Sequence, residues 1–167
     1  DALKPRLARS GLSNVHPAAI AHERDERIKR LAGKMDRVLV DAPCSGLGTL
    51  RRNPDLKWRQ SAKSVQELVA KQTSILDSAA RLLKPGGRLV YATCSILPQE
   101  NEAIAEVFSA AHPDFEMLDA GELLEQLKVA DARSLCSGGA SGTGYLRLWP
   151  HLHHTDGFFA AVWAKKA

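Results

Sequence analysis

Two β-branched, apolar runs, DRVLVDAP (residues 36–43) and RLVYATCS (residues 88–95), bracket one long stretch of helical periodicity, and this pattern constrains the fold more than any other feature. Each run reads as a buried strand. Between them Val65, Leu68, Val69, Gln72, Ile75, Leu76, Ala79, Leu82 and Leu83 recur at helix spacing, after a Ser64/Glu67 capping-box pattern and before KPGG (residues 84–87), which ends the helix. Strand, helix, strand is a crossover unit with parallel neighbours. Repeated along the chain, it predicts an α/β fold with a mostly parallel sheet covered on both faces. Ligands of such sheets sit at the carboxyl ends of the strands. Cys44 follows the first run and Cys94 ends the second.

The rest of the chain alternates in the same way. DALKPRLARSG opens with Leu3 and Leu7 at helical spacing and Gly11 as a C-cap, which is the pattern of a helix already running at residue 1. NVHPAAIA predicts a short strand, ERDERIKRLAG a short charged helix or loop, and PQENEAIAEVFSAA a helix that begins on Pro98. FEML predicts a short strand, SLCSGGASGTG (residues 134–144) a loop, and GFFAAVWA a final buried strand after the turn Thr155-Asp156-Gly157. Residues 119–144 carry no strong pattern.

At 167 residues and 44% hydrophobic, the chain supports one core, so residues 1–167 read as one domain or part of one. The net charge of +4 leans toward anionic partners such as nucleic acid. No apolar run reaches a membrane span and no leader pattern opens the chain, which predicts a cytoplasmic protein without membrane contact. Three cysteines without a CxxC pair argue against a disulfide framework and a zinc ribbon and suit a reducing cytoplasm. A single free cysteine is most often a small buried hydrophobe. Two at the ends of consecutive strands call for a chemical reason. Cys136 has no such setting.

The residues DAPCSGLGTLRRNPDLKW (41–58), LLKPGGRLVYATCSILPQENE (82–102) and LRLWPHLHHTDGFF (146–159) together resemble the Sun (RsmB-like) RNA (cytosine-5) methyltransferases. KPGG before a strand is common to many methyltransferases, whereas DAPCSG followed some fifty residues later by TCS is specific. The resemblance implies a Rossmann-like methyltransferase fold, S-adenosylmethionine as cofactor, and RNA, ribosomal RNA first, as substrate. Carbon 5 of cytosine is a poor nucleophile until another nucleophile adds at carbon 6, and a thiolate is the best protein group for that step. By the family match Cys94 attacks and Cys44 assists release. The resemblance also gives Asp41 hydrogen bonds to the amino edge of cytosine or to the cofactor, and adds Pro43 and Asp25 to the cofactor's contacts. Asp25 would face the adenine.

Arg51, Arg52, Lys57 and Arg59 surround Trp58 directly after the cysteine loop, a composition that suits RNA phosphates and a stacked base. An ordinary solvated face with Trp58 in the core would read the same way. His151, His153 and His154 lack partners at ligand spacing, so no metal is expected. The family's glycine-rich turn, its ribose acid and a nearby lysine have no counterpart here. The chain is therefore expected to be the C-terminal portion of a catalytic domain, with its first core strands missing, weak in cofactor binding and inactive alone. Its Arg37–Asp41 edge is expected either to self-associate or to be crossed by the N-terminal segment. Two other classes are a noncatalytic RNA-binding remnant and a thiol redox protein. The wide spacing of Cys44 and Cys94 speaks against the second.

Overall fold

The computed structural model describes residues 3–138 and 144–167. Its elements in chain order are α1 (Lys4–Ser10), α2 (Glu26–Lys29), β1 (Met35–Asp41), α3 (Leu56–Arg59), α4 (Ala62–Ala80), β2 (Leu83–Thr93), α5 (Glu102–Ala111), β3 (Phe115–Leu118), α6 (Ala120–Gln126), β4 (Cys136–Gly138), β5 (Gly144–Leu148), α7 (Pro150–His153) and β6 (Phe158–Lys165). Short 3-10 turns lie at Leu47–Thr49, Pro98–Glu100 and Ala132–Leu135. Among the described residues no helix is long and apolar enough to cross a membrane.

The expected crossover is present: β1 and β2 pair in parallel, with Val38 opposite Leu89 and Asp41 opposite Ala92, and α4 connects them. The expectation of a mostly parallel sheet is corrected. The sheet runs β1-β2-β6-β5-β4, with β3 also on β6, and every pair other than β1·β2 is antiparallel. The reason lies in the connections. A parallel return needs a long crossover, whereas α7 and a tight turn separate β5 from β6 and leave only an antiparallel return within reach. The α/β class stands.

Alternation sets the core. On β2, Leu89, Tyr91 and Thr93 point inward, and Trp163 of β6 sits opposite Leu89. Helix α5 buries Ile104, Ala105 and Phe108, and the Phe108 ring meets Trp163 edge-on with centroids 4.8 Å apart. The buried indole N–H donates to Ser109 Oγ at 2.9 Å, so the largest core side chain leaves no polar atom stranded.

Helix α4 is capped one turn earlier than the Ser64/Glu67 pattern predicts. Ser61 Oγ accepts from the Ser64 N–H and Ser64 Oγ accepts from the Ser61 N–H, so Ser64 fills the reciprocal role expected of Glu67. A hydroxyl at the third position reaches back as well as a carboxylate does. KPGG lies inside β2, where Gly86 takes a φ of +75°. NVHPAAIA forms no strand. Its residues are exposed, and Ile20, with Glu23 and Ile28 further along the chain, forms one wall of a groove whose other walls are Val38–Asp41 and α4. The β1 edge is thus approached by the N-terminal segment without strand pairing, and Leu39 stays 67% exposed. The weakly patterned region 119–138 is organised by Asp119, which caps α6 through the Glu122 N–H, accepts from the Gly144 N–H and pairs with Arg133. The predicted loop at 134–144 starts in the 3-10 turn Ala132–Leu135 and continues as β4, and its residues 139–143 lie outside the described residues.

Candidate active site

Because β1 and β2 are parallel neighbours, their carboxyl ends emerge side by side. The last rung is the Ala42 N–H donating to the Ala92 carbonyl at 2.9 Å. Beyond it the chains turn into the PCSG and TCS loops, and the two thiols, fifty positions apart, come within 3.5 Å. The spacing argument against a redox pair is therefore corrected: parallel strand tips supply the proximity that a CxxC turn supplies elsewhere.

The thiols are not equivalent. Hydrogen bonding from Cys44 lowers the pKa of Cys94 to about 7, against the opposing effect of burial. The same hydrogen bond, together with burial, pushes the Cys44 thiol up. The hydrogen bond between the sulfurs favours the thiolate on Cys94 and the thiol on Cys44. Near neutrality Cys94 is the reactive sulfur of the two.

Backbone packing fixes the loops. Gly46 turns the chain with a φ of +72°. The Gly48 N–H donates to the Cys94 carbonyl at 2.9 Å, and the Gly157 N–H donates to the Gly48 carbonyl at 2.8 Å. A Cβ on Gly48 would lie 2.2 Å from the Gly157 carbonyl oxygen and 2.7 Å from that of Cys94. Only hydrogen fits there.

Beneath the thiols lies a buried polar network that the sequence did not single out. Glu100, wholly buried, accepts from the Ser45 N–H, the Ser45 and Ser95 hydroxyls and the Gln72 amide. Asn101, also buried, links the Thr93 hydroxyl to the Ser95 carbonyl. Arg147, 3% exposed, donates to the Ile96 carbonyl, lies 3.5 Å from Glu102 and stacks on Trp149 and Phe159. The only signal in the sequence is polar residues at positions that strand alternation and helix periodicity turn inward.

The other expected site residues fall into two groups. Asp41 is exposed at the tip of β1, and it lines the groove formed with Ile20, Glu23, Ile28, Leu39, Ile75 and Leu82, a cavity of about 280 Å³. Pro43 is exposed beside the thiols, its carbonyl accepting from Gln72. Asp25 instead caps α2: its carboxylate accepts from the Arg27 and Ala21 N–H groups, which lower its pKa, and it is not among the residues lining that groove. In the basic loop, Arg52 and Arg51 reach Asp156 at 2.6 and 3.8 Å, and Arg59 pairs with Asp55 at 2.5 Å. Trp58 is 80% exposed with Lys57 over its ring at 4.9 Å, which removes the core alternative for the indole. His153 accepts from the Trp149 N–H and approaches the Ser134 carbonyl. No group of three or more His, Cys, Asp or Glu with metal-holding geometry is found among the described residues.

This α/β fold, with its parallel crossover and paired thiols at the strand tips, is a Rossmann-like methyltransferase fold. Residues 2–164 match the family 16S rRNA methyltransferase RsmB/F, and the chain belongs to that family. It is 43% identical over 127 residues to the probable ribosomal RNA small subunit methyltransferase B of Synechocystis, covering 76% of this chain and 26% of that protein. It is 37% identical over 162 residues to the ribosomal RNA small subunit methyltransferase F of Escherichia coli O9:H4, covering 95% of this chain and 31% of that protein. Among solved structures, NSun6 from Pyrococcus horikoshii with SFG superposes with a TM-score of 0.75 at 26% identity, covering 99% of this chain and 38% of that one. The chain spans about a quarter to a third of the length of these curated relatives.

Proposed function

We propose that these residues form the thiol half of an RNA (cytosine-5) methyltransferase active site, acting on ribosomal RNA, and that residues 1–167 are the C-terminal portion of its catalytic domain. The observation that carries the reading is the 3.5 Å approach of the Cys44 and Cys94 sulfurs at the tips of two parallel strands. Cys94, as thiolate, adds to carbon 6 of cytosine, and the electrons pushed into the ring make carbon 5 nucleophilic. Asp41, exposed at the neighbouring strand tip, accepts from the amino edge of the base and holds it in plane. After carbon 5 takes the methyl group, a water molecule acting as base accepts the carbon-5 proton, the C–H electrons restore the 5,6 double bond, and the carbon–sulfur pair leaves with Cys94 as its thiolate. Cys44 assists that release.

The methyl donor, S-adenosylmethionine, supplies an electrophilic methyl group. The groove beside Asp41 suits it: apolar walls for an adenosyl body and a carboxylate at the strand tip for its polar groups. Asp41 and Pro43 are the proposed contacts, with Asp25 placed to steady the groove's outer segment through its cap. SFG, seen with the Pyrococcus horikoshii NSun6, is an S-adenosylmethionine analogue, which supports the cofactor assignment. The basic loop with its exposed Trp58 is proposed to meet RNA phosphates and a base. The test uses the whole protein and RNA carrying 5-fluorocytosine, whose fluorine blocks release. Wild type should be trapped covalently and Cys94→Ala should not; trapping by Cys94→Ala would refute the assignment.

A further inference from the structure

Each thiol of the pair is followed by a serine, and both serines turn inward onto one carboxylate. Ser45 donates to Glu100 through its N–H at 2.8 Å and its hydroxyl at 2.5 Å, and the Ser95 hydroxyl reaches the same Oε2 at 2.5 Å. We propose that Glu100 is a positioning residue that sets the separation of the two thiols, clamping the Cys44 loop to the Cys94 loop from below. The proposal rests on the thiol chemistry above.

The placement favours this role. Strand pairing between β1 and β2 ends at Ala42 and Ala92, so the two sulfur-bearing residues stand beyond the sheet's own hydrogen bonds. Glu100 joins the loops at that level, one residue from each sulfur, where a shift of either hydroxyl is passed directly to the adjoining thiol. The clamp itself is anchored from two sides. Gln72 of α4 donates both to Glu100 at 3.0 Å and to the Pro43 carbonyl at 2.9 Å, and the Tyr91 hydroxyl of β2 donates to the Glu100 carbonyl at 2.7 Å. Four donors offset the cost of burying the carboxylate. The charge of Glu100 opposes ionisation of Cys94, so an electrostatic role would work against the thiolate. Geometry is the contribution that helps: it keeps Cys44 within donating distance of Cys94.

The test is Glu100→Gln in the whole protein, reading alkylation of Cys94 by iodoacetamide against pH with mass spectrometry, alongside methyl transfer to carbon 5. The amide preserves shape but has one accepting oxygen in place of two, so it cannot satisfy both the hydroxyls on Oε2 and the Ser45 N–H and Gln72 amide on Oε1. The thiols should drift apart and Cys94 should lose its donor. The alkylation midpoint should rise by about one unit, a roughly fivefold loss of reactivity at pH 7, with kcat reduced and the KM for RNA little changed. A lowered midpoint would mean that Glu100 acts through its charge alone and would overturn the clamp, as would an unchanged midpoint. If Glu100→Gln fails to fold, Ser45→Ala and Ser95→Ala keep the carboxylate and remove one donor each. Each should raise the midpoint by a smaller amount, and no rise in either overturns the proposal. A raised midpoint in a protein whose wild type transfers no methyl to carbon 5 would uphold the clamp and sink the reaction. Normal carbon-5 transfer with wild-type behaviour of Glu100→Gln would do the reverse.

Discussion

Residues 44–48 and residues 51–59 follow one another in the chain and are held in opposite ways. The first segment is pinned by buried donors and acceptors, by a glycine with no room for a Cβ, and by a second loop 3.5 Å away sulfur to sulfur. The second is a surface loop whose short helix α3 buries none of its residues and whose guanidinium groups hold on through ion pairs to Asp156 and Asp55. The difference matches the demands of the proposed reaction. Covalent steps fail when reacting groups are misplaced by an ångström, whereas contacts to a flexible polyanion tolerate movement. One segment is built for distance and the other for charge and reach.

The sharpest way to break this comparison is to overfill the pinned segment. Gly48→Ala should cost about 2–3 kcal/mol, because its new methyl meets two backbone carbonyls that are themselves fixed. Thermal denaturation should show it, and a loss near zero would mean that the loop is looser than its contacts indicate. Next comes the hydrogen bond between the thiols. In wild type, alkylation of Cys94 should be half-maximal near pH 7, and Cys44→Ala should move that midpoint upward, toward the ordinary thiol range, since the group that stabilises the thiolate is removed. No movement would leave Cys44 without influence on its neighbour.

The surface segment should respond more weakly. Arg52→Ala leaves the Asp156 carboxylate, 5% exposed, with the more distant Arg51, and should cost about 1–2 kcal/mol. The same variant should flatten the salt dependence of RNA binding. Trp58→Ala should change stability least, within about 0.5 kcal/mol, because the ring is exposed. It should nonetheless weaken RNA binding by about 1 kcal/mol or more if a base stacks on it. A Trp58 variant that destabilises the fold and binds RNA normally would reverse the proposed division of labour.

Much of this organisation is legible in the residues. Uninterrupted β-branched runs mark β1 and β2, helical periodicity marks α4, and parallel pairing of the two strands is what turns distant cysteines into neighbours. What is not legible depends on tertiary placement. The antiparallel returns of β3, β5 and β6 follow from connection geometry, and β5 is hidden because Arg147 occupies an inward position that alternation assigns to an apolar residue. PQENE reads as a polar helix start, and it is the approach of Ser45 and Gln72 to Glu100, and of Thr93 and Ser95 to Asn101, that satisfies these two residues in the interior. Asp25 has the opposite history: the family resemblance suggests a ligand contact, while the local backbone supplies a cap.

The division of roles between the two sulfurs is the central claim, and a denaturing gel of the whole protein incubated with cofactor and ordinary, unfluorinated RNA tests it most directly. Cys44→Ala should accumulate a protein–RNA adduct, because attack by Cys94 still occurs, more slowly at neutral pH for want of its donor, and release does not. Cys94→Ala and the double variant should form none. An adduct in Cys94→Ala, or normal turnover without any adduct in Cys44→Ala, would contradict the assignment.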